Sequence, residues 1–175
     1  LHIGTFEKRK DLLTLIKGFK ILKDELKVDY KLVLAGSTYI NGDNKVLLKI
    51  QKYIKENNLF SSILMPGYID KNKALYFYNN SLMYVFPSLD EGFGIPLIEA
   101  LKLKVPVICS DIPIFREIAD DSVLYFEKKN EINLLKRMKE LIQSEELSNK
   151  LVLKGLERVK KYNRYNFIKD FEKIY

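Results

Sequence analysis

Short apolar runs alternate with amphipathic stretches along nearly the whole chain. The runs have the length of strands that are buried on both faces of a sheet. Between them, apolar residues recur at spacings of three and four, as Leu12, Leu15 and Leu22 do, which predicts helices. Strands that alternate with helices pair in parallel through right-handed crossovers, with helices on both faces. We therefore predict an α/β fold built on a doubly wound parallel sheet flanked by helices.

The predicted elements follow one another without a linker, an internal repeat or a low-complexity tract. Strands are predicted at the first residues and at 30–35, 62–65, 82–86, 105–109 and 123–126. Helices are predicted at 12–22, 46–54, 74–78, after Gly94, and at 114–118, 131–143, 145–161 and 165–175. A chain of 175 residues is long enough to bury a core, so we expect a single domain at 1–175.

Composition excludes several classes of protein. Apolar residues make up 47% of the chain and charged residues 30%, which is typical of soluble globular proteins. No apolar run has the length of a membrane-spanning helix, and no signal-like segment is recognisable. The single cysteine, Cys109, excludes a disulfide scaffold and favours a cytoplasmic protein.

The formal net charge of +7 raises the question of a nucleic-acid partner. Only 5 of the 30 basic residues are arginine, and the lysines are spread along predicted helices. A solvated lysine surface explains this distribution better than a nucleic-acid site does, so we expect no nucleic-acid partner. The positive surplus would still attract an anionic substrate or a negatively charged membrane surface.

One segment carries the most specific pattern in the chain. It leads from the predicted strand at 82–86 through Gly92-Phe93-Gly94 into a helix with Pro96 in its first turn. Glycine lets the backbone bend sharply there, and proline suits a helix start. A helix N-terminus holds phosphate or sugar oxygens on its free amides. Glu91 and Glu99 flank this turn and can accept hydroxyl protons, so the segment suits a sugar nucleotide.

A basic turn precedes the first predicted helix. Lys8, Arg9 and Lys10 follow Gly4 and stand just before that helix. A guanidinium forks onto phosphate oxygens, and a lysine adds a point charge. Ligands of parallel sheets bind at the carboxyl ends of the strands, which makes the turns at 4–10, 36–42, 67–70 and 88–94 the candidate site. Taken alone, the basic turn favours a solvated loop; its position at a strand end favours phosphate binding.

Other interpretations of the acidic residues and the lone histidine remain open at this stage. Glu91 and Glu99 would be a glycosidase pair only if they faced each other across a bond, which spacing does not define. Glu99 by itself is an ordinary first-turn glutamate favoured by the helix dipole. His2 is the only histidine and has no cysteine or carboxylate cluster beside it, so we expect no metal and no cofactor.

Several segments together match the pattern of one protein family. Seven residues separate Glu91 from Glu99, as in that family's signature. The other matching segments are Gly4 with Glu7, Arg9 and Lys10, then 32–36, 67–69, 85–88 and 106–108. In these segments the chain resembles the C-terminal half of retaining glycosyltransferases of the GT-B architecture. The type is group 1, family 4, which includes bacterial mannosyl- and glucosyltransferases. The resemblance implies a Rossmann-like domain that binds a nucleoside-diphosphate sugar.

The resemblance also implies roles for single residues. Glu91, Lys10 and Arg9 would form the catalytic group, in which Glu91 binds sugar hydroxyls and the two cations neutralise the diphosphate. Glu99 would bind the ribose hydroxyls. The other positions implied at the donor site are Gly4, Thr5, Tyr68, Ile69, Ser88, Gly92, Phe93, Gly94, Ile95 and Leu97. Among these, the backbone of 93–95 would hold sugar and phosphates, and Tyr68 and Ile69 would border the base.

The chain departs from the family pattern at three places. The family's tryptophan near the last helix is absent, and Tyr165 lies nearby. Thr5 stands where many relatives carry an arginine, which leaves the diphosphate more dependent on Arg9 and Lys10. Lys104 replaces a usual glycine before Val105, at the end of a predicted helix.

The implied reaction is transfer of a sugar to an acceptor hydroxyl with retained anomeric configuration. It would need no metal and no strong protein nucleophile. The acceptor, a carbohydrate or a lipid-linked molecule, would be bound by an N-terminal half that we expect to be missing here, so the chain alone would be inactive. The resemblance implies a cytoplasmic enzyme of cell-surface polysaccharide, lipopolysaccharide, glycolipid or storage-sugar synthesis, and the sequence does not choose among these. Peripheral association of the full enzyme with the cytoplasmic face of the membrane is compatible with it. The alternative is a non-catalytic nucleotide-sugar-binding subunit that activates a partner transferase.

Overall fold

Parallel strands and helices alternate throughout the computed structural model, which describes residues 1–27, 29–38 and 44–162. The strands of these ranges are β1 (His2–Ile3), β2 (Leu32–Ala35), β3 (Ile63–Gly67), β4 (Tyr84–Phe86), β5 (Val107–Ser110) and β6 (Leu124–Phe126). The helices are α1 (Leu12–Leu26), α2 (Lys45–Glu56), α3 (Lys71–Asn79), α4 (Ile95–Lys102), α5 (Pro113–Ala119), α6 (Glu131–Gln143) and α7 (Glu145–Val159). Turns of 3-10 helix lie at Lys8–Lys10 and Lys160–Tyr162.

The strands form one doubly wound arrangement. β1, β2 and β3 pair in parallel in that order, and so do β4, β5 and β6. Leu1 joins the two sets, because its nitrogen donates to the Met83 carbonyl at 3.0 Å and its carbonyl accepts from the Val85 amide at 2.9 Å. The resulting order is β3-β2-β1-β4-β5-β6, which confirms the predicted fold class. The order reverses between β1 and β4, where sheets of this kind bind ligands.

The core lies in two layers, one on each face of the sheet. One layer packs α1 and α6 against the strands through residues such as Ile16 and Leu134. The other packs α4 and α5 through Leu97 and Phe115, together with the buried Cys109. Helices thus cover both faces, as the nearly continuous apolar strands require. No helix of the described ranges is long and apolar enough to span a bilayer.

The carboxyl ends of β1 and β2 touch backbone to backbone. The Gly4 amide donates to the Ala35 carbonyl at 2.9 Å. Gly36 has a φ of +139°, and a Cβ added there would lie 1.9 Å from the Gly4 carbonyl oxygen. Any side chain at position 36 would collide with the Gly4 backbone. Glycine at 36 therefore allows the turn after β1 to pack against the carboxyl end of β2.

Two strands have ends that differ from those predicted from the sequence pattern. β3 continues through Pro66 and Gly67, where the pattern predicted a stop. β3 is the outer strand of the order, so proline costs no ladder hydrogen bond. β4 begins at Tyr84 rather than at 82, and Leu82 is 60% exposed. The predicted helix at 165–175 and part of the predicted turn at 36–42 lie outside the described residues.

The end of α4 explains the departure at Lys104. This exposed residue has a φ of +60°, in the left-handed region, just after the helix, and its amide donates to the Leu101 carbonyl. That position favours glycine, since a side chain there is strained.

Lys104→Gly should therefore raise the free energy of unfolding by about 0.5–1 kcal/mol, the relieved strain less the added unfolded-state entropy. Urea unfolding measures it. Lys102→Gly, at the last residue of α4, is the control and should lower stability by about 0.5 kcal/mol, because glycine there adds unfolded-state entropy and relieves no strain. Equal losses in the two variants would contradict the strain at Lys104.

Candidate functional site

The loops that follow β1 and β4 meet where the strand order reverses. The Leu89 amide donates to the Arg9 carbonyl at 2.7 Å, which ties one backbone to the other. Residues some 80 positions apart in the chain are neighbours here because β1 and β4 are adjacent strands. The turn with the cations and the turn with Glu91 therefore lie side by side.

Glu91 is the centre of this site. Its Oε1 accepts hydrogen bonds from the Lys10 Nζ and the Ser88 hydroxyl, each at 2.6 Å. Its Oε2 accepts from the Arg9 Nη1 at 2.9 Å. The side chains of Lys10 and Glu91 are each only 7% exposed. A carboxylate so buried is stable because each oxygen has a charged or hydroxyl donor.

The surroundings of Glu91 keep it ionised. Burial by itself raises the pKa of a carboxyl group. The hydrogen bonds from Lys10 and Ser88 and the Lys10 charge outweigh that effect and hold the pKa of Glu91 below its ordinary value. At neutral pH Glu91 is therefore ionised and accepts hydrogen bonds.

The two cations differ in how firmly they are held. Lys10 is buried, and its Nζ lies 5.0 Å from the centroid of the Phe86 ring, in reach of a cation–π contact. Arg9 is 42% exposed, and its Nε donates to the Glu7 carboxylate at 2.7 Å. Glu7 in turn accepts a hydrogen bond from the Thr5 hydroxyl.

His2 lies on β1, where its ring is fully buried against β4. Its Nδ1 donates to the Val85 carbonyl at 3.0 Å, and its ring lies near those of Tyr84 and Phe86. Burial lowers the pKa of His2 to about 4, so the ring is neutral at pH 7. Among the residues that the structure describes, no cluster of His, Cys, Asp and Glu has the makings of a metal site. The expected independence from metals and cofactors stays a prediction.

The start of α4 has the features that its sequence predicts. Gly94 is the N-cap residue with a φ of +67°, and Pro96 follows within the first turn. Phe93 and Ile95 are 42% and 59% exposed, and Gly92 has open space around it. This helix start follows Glu91 by four residues in the chain, and a helix N-terminus carries amides that lack an intrahelical partner.

Three of the other predicted donor-site positions lie apart from this cluster. Leu97 is fully buried in the core, because the turn of α4 points it at the sheet, and its amide donates to the Gly94 carbonyl at 2.9 Å. Leu97 therefore presents no side chain to a ligand. Tyr68, 83% exposed, and Ile69 follow β3, two strands away from β1 along the same edge of the sheet.

Glu99 lies on α4, one turn beyond the helix start. It is exposed, and its Oε2 is 3.5 Å from the hydroxyl of the buried Tyr78. The structure gives no bond or ion pair that joins it to Glu91, so the two acids do not form a shared-proton pair. Glu99 is available to a ligand that extends along α4.

Sequence reasoning missed Glu7 as part of the cluster. The sequence gives one indication of this role. Glu7 lies only two residues before Arg9, and a tight turn keeps the two side chains close to each other. The side chain closes the row Thr5, Glu7, Arg9 and Glu91 on the exposed side of the site.

Comparison with known families decides the affiliation of the chain. The family model for glycosyl transferases group 1 matches residues 1–158. The chain belongs to this family. The predicted resemblance is therefore confirmed at the level of the family and of the fold.

Individual glycosyltransferases extend the comparison. The O-antigen chain mannosyltransferase B of Escherichia coli is 27% identical over 95% of this chain and 42% of its own length. The C-terminal domain of a glycosyl transferase group 1 protein from Francisella tularensis has a TM-score of 0.80 at 24% identity, covering 94% of this chain and 84% of that one. Anabaena HepE in complex with UDP and glucose has a TM-score of 0.82 at 13% identity, covering 91% and 42%. The chain thus spans less than half of the mannosyltransferase and has the fold of a C-terminal domain.

The ion pairs of Glu91 predict a pH-dependent stability. Glu91→Gln leaves buried Lys10 without its carboxylate and should cost about 3 kcal/mol at pH 7. A carboxyl with a lowered folded pKa contributes stability fully above its ordinary value of 4.5 and loses it as the pH falls through the folded value. The difference in unfolding free energy between wild type and Glu91→Gln should therefore shrink below about pH 4.5.

Urea unfolding at a series of pH values measures this difference. Glu99→Gln is the control, because Glu99 is exposed and its loss should change stability by less than about 0.5 kcal/mol at every pH. A Glu91→Gln deficit that stayed constant with pH would contradict the buried ion pair.

Proposed function

We propose that this chain binds a nucleoside-diphosphate sugar between the turn after β1 and the start of α4. It would act as the donor-binding half of a retaining hexosyltransferase. The observation that carries the proposal is the buried Lys10–Glu91 pair, with Arg9 beside it, at the start of a helix in a member of a glycosyltransferase family. Cations, free amides and an ionised acid are the groups that a sugar diphosphate needs.

Each group of the site has a part in this proposal. Lys10 and Arg9 neutralise the diphosphate, and the backbone of 93–95 holds phosphate and sugar oxygens. Glu91 accepts hydrogen bonds from the sugar hydroxyls. Glu99 binds the ribose, and the segment of Tyr68 and Ile69 borders the base.

Binding would exchange one set of ion pairs for another. In the free protein, Glu91 compensates the charges of Lys10 and Arg9. A diphosphate takes over that compensation, so neither cation is left unpaired. Glu91, released from part of its own bonds, turns its oxygens to the sugar hydroxyls. The cost of breaking the buried pair is thereby offset within the same site.

The same arrangement suits transfer with retention. As the bond between the anomeric carbon and the phosphate oxygen breaks, negative charge grows on the diphosphate and positive charge on the sugar ring. Preorganised cations and amides stabilise the first, and the ionised Glu91 stabilises the second. The acceptor oxygen bonds to the anomeric carbon, and its proton passes to the leaving phosphate. Glu91 positions the sugar and forms no covalent bond, and no metal enters the proposal.

The relatives suggest where to look for substrates. One is named an O-antigen chain mannosyltransferase, and HepE is solved with UDP and glucose. These names support a hexose donor and an acceptor in polysaccharide synthesis, a carbohydrate or a lipid-linked molecule. The acceptor would bind to an N-terminal half outside this chain, with the whole enzyme at the cytoplasmic face of the membrane. The relatives are named as transferases, so a purely activating subunit finds no support.

Calorimetric titration with UDP-, GDP- and ADP-linked glucose and mannose tests the proposal. We expect one of these donors to bind weakly with one site per chain, and we expect no sugar transfer by the chain alone. Lys8→Ala, which removes an exposed lysine of the same turn, should bind as the wild type does. Absence of binding across the panel would refute the donor site, and multiple turnovers by the chain alone would refute its dependence on another half.

Two variants separate the roles of acid and cation. Glu91→Gln should weaken binding of the sugar nucleotide relative to the bare nucleoside diphosphate by about tenfold, because it loses charge-assisted bonds to sugar hydroxyls. Lys10→Ala should weaken both ligands alike. The readout is the ratio of the two dissociation constants, measured by calorimetry for each variant. Equal ratios in the two variants would show that Glu91 does not contact the sugar.

A further inference from the structure

Arg9 is the one exposed side chain of the charged cluster whose orientation needs a separate explanation. Its backbone is fixed, since its carbonyl accepts from the Leu89 amide at 2.7 Å. Its side chain is 42% exposed, whereas that of Lys10 is 7% exposed. A long side chain in water samples many rotamers unless something holds it.

Two carboxylates hold the guanidinium from different sides. Nε donates to Glu7 Oε2 at 2.7 Å, and Nη1 donates to Glu91 Oε2 at 2.9 Å. The plane of a guanidinium is fixed once two of its donors are engaged. Glu7 is itself held, because its other oxygen, Oε1, accepts from the Thr5 hydroxyl. Thr5, Glu7 and Arg9 therefore form a continuous row that ends on Glu91.

Glu7 is the partner of Arg9 that a bound ligand would leave in place. Glu91 has Lys10 and Ser88 as further donors, and in the proposed exchange it turns toward a sugar. Glu7 lies at the start of the 3-10 turn, where the Lys10 amide donates to its carbonyl, so its own backbone is fixed. The Thr5 hydroxyl, with Arg9, holds the pKa of Glu7 below its ordinary value, so it stays ionised at neutral pH.

We propose that Glu7, held by Thr5, is the positioning residue that aims the Arg9 guanidinium at the diphosphate. The proposal rests on the proposed donor site. The Glu7–Arg9 ion pair would act by orienting the guanidinium, because a half-exposed ion pair contributes little to the free energy of unfolding. Removal of Glu7 should therefore change ligand binding and the order of Arg9, with little effect on unfolding.

Nuclear magnetic resonance of the arginine Nε–H groups gives a readout that needs no ligand. The chain has only five arginines, and Arg9→Lys identifies the signal of Arg9 by its disappearance. In the wild type we expect that signal to exchange slowly with water. Glu7→Ala should speed its exchange by about tenfold, the size of one lost charge-assisted bond. Glu7→Gln, which retains an oxygen of the same reach, should restore part of the protection.

A matched control lies on α6. Glu140 accepts from the Arg137 Nη1 at 2.9 Å, and the two side chains are 30% and 32% exposed, close to the values for Glu7 and Arg9. Glu140→Ala should leave the Arg9 signal and the ligand affinity unchanged.

Affinity for inorganic pyrophosphate and for UDP and GDP completes the test. For the diphosphates that bind the wild type, Glu7→Ala should raise the dissociation constant by about fivefold, and Glu7→Gln should raise it less. In an Arg9→Ala background, adding Glu7→Ala should cause no further loss of affinity. An Arg9 signal unchanged in Glu7→Ala, or an equal loss of affinity in the Arg9→Ala background, would overturn the positioning role. A third outcome separates the two proposals. If the wild type bound none of these probes and Glu7→Ala still sped the exchange of the Arg9 Nε–H, the donor site would be refuted, and the orientation of Arg9 by Glu7 would stand.

Discussion

The contact between the Lys10 ammonium and the Glu91 carboxylate joins the two halves of the sheet at their carboxyl edge. Both side chains are almost fully buried, so each depends on the other for compensation of its charge. Ser88 and Arg9 complete the bonds of Glu91. The charges of this cluster are therefore balanced among its own side chains.

The doubly wound strand order makes this contact possible. β1 and β4 are far apart in the chain and adjacent in the sheet, so their following turns face each other across the point where the order reverses. Gly36 holds the turn after β1 through a backbone approach that a side chain would block. In the proposed donor site, these cations, amides and acid are the groups that would stabilise a sugar diphosphate during transfer.

The sequence predicted the fold well because its signals are local. Periodicity located α6 at its observed bounds, Glu131–Gln143, and located the ends of the strands from β2 onward to within two residues. The end of β3 at Pro66 and Gly67 depends on the place of β3 as an outer strand, which is a property of the whole sheet.

The site was predicted less completely, for the same reason. Residue types and strand ends indicated which cations and acids would share a crevice. The spacing of residues in the sequence does not give the directions of their side chains. It therefore could not predict that Lys10 and Arg9 pair with Glu91, or that Glu7 pairs with Arg9. Leu97 shows the limit, because its place in the pattern suggested the donor site and its helical direction puts it in the core.

The contacts between the two halves of the sheet have a consequence for hydrogen exchange when a ligand is bound. At one end, Leu1 bridges to Met83 and Val85 through its backbone; at the other, the Arg9 and Lys10 turn is fastened to the Glu91 turn. A ligand that contacts both the Lys10 turn and the start of α4 would hold this second end closed in place of the ion pair. Backbone amides such as that of Leu89 would then exchange their hydrogens with solvent more slowly in the occupied protein, while those near Leu1 would change little.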